Sequence, residues 1–352
     1  MEILKKKKTV VLDIDDPKLL NNNIFNPEVA KKISHTMLPT CYLYNEALKQ
    51  DIYFITPDIY FKSPNEFTGA LLISGLQSSL TDTLIKSGVK PIILTCQESP
   101  FIATRFYTQL LKYTSRYKHS FMFSGMKRLV SKKTIYHQMY FPQPYSINDF
   151  KPKKFNEKKM FVLVSGAKFV KNWWKKILIK IIYGFSIKDI YDERQKIIKY
   201  FSQKDGFDLY GFGWDKSKEL NSSIIKKVYR GVVDDKFEKI REYKFTFCLE
   251  NTIFPGYVTE KILDAIFAGS IPIYYGAPDI KQFIPKEVFI DIRDFKDYDA
   301  LYSYVSTMGE QKYNTYLKAM EDFIKSEKYK KFSQEQFAKE ILEILNKEFN
   351  NL

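Results

Sequence analysis

Short apolar runs, each closing on a polar residue or a glycine, recur along this chain with helical patterns between them. TVVLDID (Thr9–Asp15), DIYFITPDIYF, GALLISG and KPIILTCQESP read as strands. SSLTDTLIKSG reads as a short helix closed by Gly88, and FIATRFYTQLLKYT as helical. Strands alternating with helices at this spacing predict parallel βαβ units. The pattern breaks at Phe141–Lys159, where FPQPYSINDFKPKKFNEKK holds three prolines and no usable period, as an interdomain linker would. It then restarts: KKMFVLVSGA, FDLYGFGWD, KFTFCLEN and KEVFIDIRDF read as strands, while IYDERQKIIKYFSQKDG (closing at Gly206) and KFEKIREY read as helices. The tail is an amphipathic helix with Phe332, Phe337, Ile341, Ile344 and Leu345 on one side. At 352 residues the chain exceeds the usual size of one core. The prediction is an α/β protein with two Rossmann-like domains facing a cleft, 1–150 and 151–310, and C-terminal helices over 311–352 packing back across them. Ligands of such sheets bind at the carboxyl ends of the strands.

Composition narrows the partners. A formal charge of +15 suits phosphates, whether of nucleotides, nucleic acid or anionic lipid. No RNP-like aromatic motif, basic zipper or zinc finger is present, which argues against nucleic acid. Aromatic residues make up 16% of the chain, as core or as surfaces for carbohydrate or lipid. The three cysteines form no CxxC pair, arguing for a reducing compartment and against a disulfide framework or structural zinc. No apolar h-region follows the N-terminal lysines, and no apolar run reaches the roughly 18 residues of a membrane span. The expected location is cytoplasmic, soluble or peripheral on the inner face of a membrane.

The stretch FCLENTIFPGYVTEKILDAIFAGSIPIYYGAP (Phe247–Pro278) carries the most specific signal. Thr259 suits an N-cap and Glu260 a first helical turn. Lys261 does not, because the N-terminal end of a helix dipole is positive. A bound anion would justify it, since free backbone N–H groups there already form an anion site. Gly256 would let backbone approach a ligand and Tyr257 would offer a hydroxyl. The competing reading is a solvated Glu260–Lys261 pair on a surface helix.

From Tyr243 to Phe295 the string F-x-x-x-x-E-N, G-Y-V-T-E-K-I-x-D-A, I-P-I-Y-x-G-x-P, F-I-P and F-I-D-x-x-D-F closely resembles the signature region of the α-1,3/1,4-fucosyltransferases, glycosyltransferase family 10. The resemblance implies a GT-B fold, acceptor domain first and nucleotide-sugar domain second, and an inverting transfer of L-fucose from GDP-β-L-fucose to an oligosaccharide or glycolipid acceptor. It places Lys261 at the diphosphate, Glu260 at the ribose hydroxyls, and Asn251 and Tyr257 along the phosphate–fucose region. DERQKIIKYF is similar to the family helix with a phosphate-binding arginine, here Arg194; the alternative is a surface arginine. In the first half only CQESP matches, which puts Glu98 as general base. An inverting transfer needs one carboxylate to take the acceptor proton.

A divalent metal is not expected to be essential, because lysine and arginine can neutralise a diphosphate. The D-x-D of LDIDD (Leu12–Asp16) is accordingly not read as a metal site. Departing from the family pattern, Ser165-Gly166-Ala167 is followed by an insertion, KFVKNWWKKILIKIIYGFSIKD, with Trp173, Trp174, Ile177, Leu178, Ile181 and Ile182 among five lysines before Tyr183. Two readings stand: an anionic membrane surface, or packing on the nucleotide-sugar domain. Another nucleotide sugar as donor, or a non-catalytic basic protein, are the competing functions.

Overall fold

The computed structural model describes residues 8–167, 173–184, 187–217 and 220–351. It resolves into two compact units, Met1–Pro144 with Lys331–Leu352, and Tyr145–Lys330. The first boundary falls inside the proline-rich stretch 141–159. The C-terminal segment expected over 311–352 is divided: Glu310–Ile324 lies in the second unit and Gln334–Asn350 in the first.

In the first unit six strands, β1 (Lys8–Asp13), β2 (Ile52–Ile55), β3 (Leu71–Ser74), β4 (Lys90–Thr95), β5 (His119–Met122) and β6 (Ile135–Gln138), form one parallel sheet in the order β2-β1-β3-β4-β5-β6. Val10 and Val11 of β1 lie opposite Leu71 and Leu72 of β3, and all four are fully buried. Strands covered on both faces read as continuous apolar runs, which is why β1 to β4 stand out in the sequence. DIYFITPDIYF is only half strand. Pro57 takes the first position of a helix, Pro57–Lys62, where its missing N–H costs nothing. FIATRFYTQLLKYT is two short helices, Thr104–Thr108 and Leu110–Thr114, that meet at Gln109. The C-terminal helix Gln334–Asn350 starts at Ser333, whose side chain accepts from the Gln336 N–H, and packs on α1 (Leu38–Leu48). Ile341 and Leu345 are buried as its period predicts, with Ala338 and Leu342 beside them, while Phe337 and Ile344 are half-buried.

The second unit has a five-stranded parallel sheet: β7 (Lys159–Val164), β9 (Phe207–Tyr210), β10 (Tyr243–Leu249), β12 (Ile271–Tyr275) and β13 (Ile290–Asp291), ordered β13-β12-β10-β7-β9. A two-stranded antiparallel pair joins β8 (Lys188–Asp189) to β11 (Thr252–Ile253). β10 is central and almost wholly buried. The inserted segment forms α2 (Trp173–Tyr183); residues 168–172 and 185–186 of it lie outside those described, as do residues 1–7 of the lysine-rich start. α2 packs inward through Ile179, through Tyr183 edge-on to Phe254 at 6.0 Å, and through Lys176 paired with Asp189 at 3.1 Å. Trp174, Ile177 and Ile181 are exposed. Among the described residues no helix is long and apolar enough to cross a membrane.

Candidate active site

In the second unit β10 runs out at Leu249, and the residues after it turn back to start a helix. The turn passes through Gly256, held at φ 73°, a left-handed conformation that costs glycine little; its N–H donates to Asp279 Oδ1 at 2.8 Å. Preceding that helix, α3 (Tyr191–Phe201) and α4 (Lys236–Arg241) flank the sheet, and α5 (Glu260–Phe267) is the helix itself. Gly269 closes α5 at φ 63°, the left-handed conformation that commonly ends a helix.

Thr259 occupies the N-cap position in an extended conformation, but its side chain does not cap α5. It turns to Glu250, which is fully buried. The Thr259 amide donates to Glu250 Oε1 at 2.9 Å, and its hydroxyl to Oε2 at 2.7 Å. Lys261 Nζ donates to Glu250 Oε2 at 3.3 Å, to the Thr259 hydroxyl at 2.9 Å and to Glu260 Oε1 at 3.3 Å. Burial alone would depress the Lys261 ammonium, yet the carboxylates of Glu260 and Glu250 outweigh it and hold the group above its ordinary value. Burial raises Glu250 in turn, while Lys261 pulls it back. A bound anion is therefore not the only justification for Lys261, as the sequence suggested: the fold supplies a resident counter-charge. Gly276 makes room for it, since a Cβ there would lie 2.5 Å from Glu250 Cγ and 2.5 Å from the Tyr274 hydroxyl.

Arg194 sits in the first turns of α3 and is 2% exposed, which excludes the surface reading. Its Nη2 makes two long hydrogen bonds, to the Leu249 carbonyl at 3.4 Å and Asn251 Oδ1 at 3.5 Å, and its Nε has no partner. The guanidinium lies over the Tyr191 ring, 5.2 Å from its centroid. Among the described residues it makes no ion pair, and burial pushes it below its ordinary value. Arg194 and Asn251 are thus in contact, Tyr257 is buried nearby enough to act on Arg194 electrostatically, and Arg194 opposes the charge on Lys261. A small pocket at the carboxyl ends of β7 and β10 is lined by Val164, Ser165, Lys236, Leu249 and Lys261. Lys236 is a further cation there, paired with buried Asp264 at 2.8 Å. Neither Glu250 nor Lys236 was singled out in the sequence, although Glu250 is the acid of its E-N pair.

In the first unit Glu98 lies in the loop after β4. Its backbone carbonyl accepts from the Tyr107 hydroxyl at 2.7 Å, which fixes the loop. Its carboxylate is half-exposed and makes no hydrogen bond or ion pair among the described residues. The acids of the D-x-D are engaged locally: Asp13 accepts from the hydroxyls of Ser74, Ser78 and Thr81, and Asp15 from the amide and hydroxyl of Ser79 at 2.8 Å each.

Two α/β units, each built on a parallel sheet, are the architecture of the GT-B fold. Solved structures agree on the fold: an α1,3-fucosyltransferase with GDP (TM-score 0.52, 16% identity, 98% of this chain and 92% of that one) and Anabaena HepE in complex with UDP (TM-score 0.59, 11% identity, 97% and 100%). The sequence profile of the glycosyltransferase family 10 (fucosyltransferase) C-terminal domain matches residues 175–348. The α-(1,3)-fucosyltransferase FucT of Helicobacter pylori is 46% identical over 86 residues, 24% of this chain and 18% of that protein. α-(1,3)-Fucosyltransferase B of Drosophila melanogaster is 30% identical over 140 residues, 39% and 31%. Over residues 175–348, then, the chain is similar to the C-terminal domain of glycosyltransferase family 10. The matched segments span less than a third of these two relatives' own length.

Proposed function

We propose that this chain transfers L-fucose from GDP-β-L-fucose, with inversion, to a hydroxyl of a glycan acceptor, forming an α-1,3 linkage to N-acetylglucosamine or glucose of a surface glycan. The observation that carries the reading is Arg194: a buried guanidinium with an unpartnered Nε, gathered with Lys261 at the strand ends where such sheets take ligands. A buried guanidinium without an acid at bonding distance is costly, and a diphosphate would satisfy it. In this scheme Lys261 and Arg194 meet the diphosphate, Glu260 the ribose hydroxyls, and Asn251 and Tyr257 the phosphate–fucose region. Glu98 takes the proton of the acceptor hydroxyl as its oxygen bonds to the anomeric carbon. The bond from that carbon to the phosphate oxygen breaks, and the two cations hold the charge of the departing GDP, so no metal is required. Incubation with GDP-fucose and a panel of N-acetylglucosamine- and glucose-terminated glycans tests this. A fucosylated product with GDP release supports it, and absence of product across the panel refutes the assigned acceptor class.

We also infer peripheral attachment to an anionic membrane from the cytoplasmic side through α2. Trp174, Ile177 and Ile181 recur at helical spacing and are exposed. Residues 168–188 carry six lysines and no acid, a composition that suits an anionic interface.

A further inference from the structure

Glu250 is an anomaly in the scheme above. The reaction needs cations where the diphosphate binds, and a fully buried carboxylate beside them repels the donor. Its burial is nevertheless built in from several sides. Its own N–H donates to the Tyr275 carbonyl at 3.0 Å, fastening it to the end of β12. Glycine at 276 leaves the space its side chain fills. Its two oxygens take three donors, two from Thr259 and one from Lys261. Thr259 is a relay in this cluster, since its hydroxyl donates to Glu250 and accepts from Lys261.

We propose that Glu250 is a positioning residue for donor binding. It holds the Lys261 ammonium and the first turn of α5 in their binding geometry before nucleotide arrives, and offsets the repulsion between Lys261 and Arg194. An ammonium has three N–H donors. In the unliganded protein these go to Glu250, Thr259 and Glu260. Glu260 is the replaceable partner, for its side chain is partly exposed, whereas Glu250 and Thr259 are buried. On donor binding Lys261 exchanges Glu260 for the diphosphate, which frees Glu260 for the ribose hydroxyls, while Glu250 and Thr259 keep hold of the ammonium. One substitution of partners thus couples recognition of the phosphates to recognition of the sugar.

This role rests on the GDP-sugar reading, and the test separates the two. GDP affinity is measured by calorimetry for the wild type, Glu250→Gln, Lys261→Ala and the double variant. An amide cannot accept from all three donors, so Glu250→Gln weakens GDP about tenfold, equivalent to one misplaced charge-assisted contact. With Lys261 already removed, the same substitution changes affinity less than about twofold, because the two act as one unit. Equal losses in both backgrounds, or GDP binding by Glu250→Gln as tight as wild type, overturn the proposal. Thr259→Val, which removes the relay hydroxyl but not the carboxylate, provides the answer if Glu250→Gln does not fold; it weakens GDP severalfold only when Lys261 is present, and an unchanged affinity counts against the role. If the wild type fails to bind GDP, the functional reading itself falls and takes this inference with it.

Discussion

Replacing Arg194 by methionine makes the unliganded protein more stable and blind to GDP. An arginine carries five N–H donors. In this one Nε is unpaired and Nη2 bonds only at 3.4 and 3.5 Å. An unsatisfied buried donor costs about 1–3 kcal/mol, and exchange even of a buried ion pair for apolar side chains of similar volume is neutral or stabilising by about 1–4 kcal/mol. Against this stands the stacking on Tyr191, worth about 1 kcal/mol. The net is a gain of about 1 kcal/mol, or a rise in Tm of about 2–4 °C for a unit of this size. Loss of a buried charge from a charged ligand costs about 2–5 kcal/mol, so GDP affinity falls at least about thirtyfold. Thermal melts with and without GDP read both effects. A variant whose unliganded Tm drops by several degrees, or which keeps the wild-type shift with GDP, would show that Arg194 is an ordinary structural arginine.

In the proposed mechanism Glu98→Gln removes the proton acceptor and nothing that holds the donor. Transfer falls by at least about a hundredfold, while GDP affinity stays within about twofold, as steady-state rates and calorimetry on one preparation will show. If α2 docks on an anionic membrane, anionic vesicles should sediment the protein at low salt where neutral ones do not, and Trp174→Ser with Ile181→Ser should abolish the effect; equal sedimentation of that double variant sinks the membrane reading. The first unit carries an acid-sensitive pair: His119 Nδ1 lies 2.9 Å from His137 Nε2, and His119 Nε2 is 3.9 Å from Glu348 Oε1. Burial, then the neighbouring His137, lowers His119 from 6.5 to about 4, and burial lowers His137 as well. Between those values the unfolded chain binds more protons, so stability is whole above about pH 6.5 and is lost as pH falls towards 4. For His119 the loss at about pH 5 comes to about 2 kcal/mol. Urea unfolding of His119→Gln should show a correspondingly flatter pH dependence, and an identical slope would refute this.

Most of the sheet framework could be read from sequence because buried parallel strands are apolar throughout. β5 and β6 escaped notice for the same reason in reverse: HSFM and IYHQ carry His119, Ser120, His137 and Gln138, which look like loop. The tail helix shows its apolar face, but periodicity reports only that a face is covered. It says nothing of which unit covers it, and so 311–352 reads as one segment. At the site, Lys261 drew attention through a local rule about helix dipoles. Glu250 has no such signature. Its burial is made by Gly276, more than twenty residues away, and its role by Thr259, which abandons capping to bond it. Contacts of that kind are decided by tertiary packing.

The central claim is that the second unit binds a guanosine diphosphate sugar through Lys261 and Arg194. Calorimetric titration of the wild-type chain with GDP-fucose, GDP and UDP tests it most directly. Saturable binding of GDP-fucose and GDP, no measurable binding of UDP, and a weakened but still measurable GDP affinity in Lys261→Ala are the predicted results. Binding of UDP in place of GDP, or undiminished GDP binding by Lys261→Ala, would contradict the account.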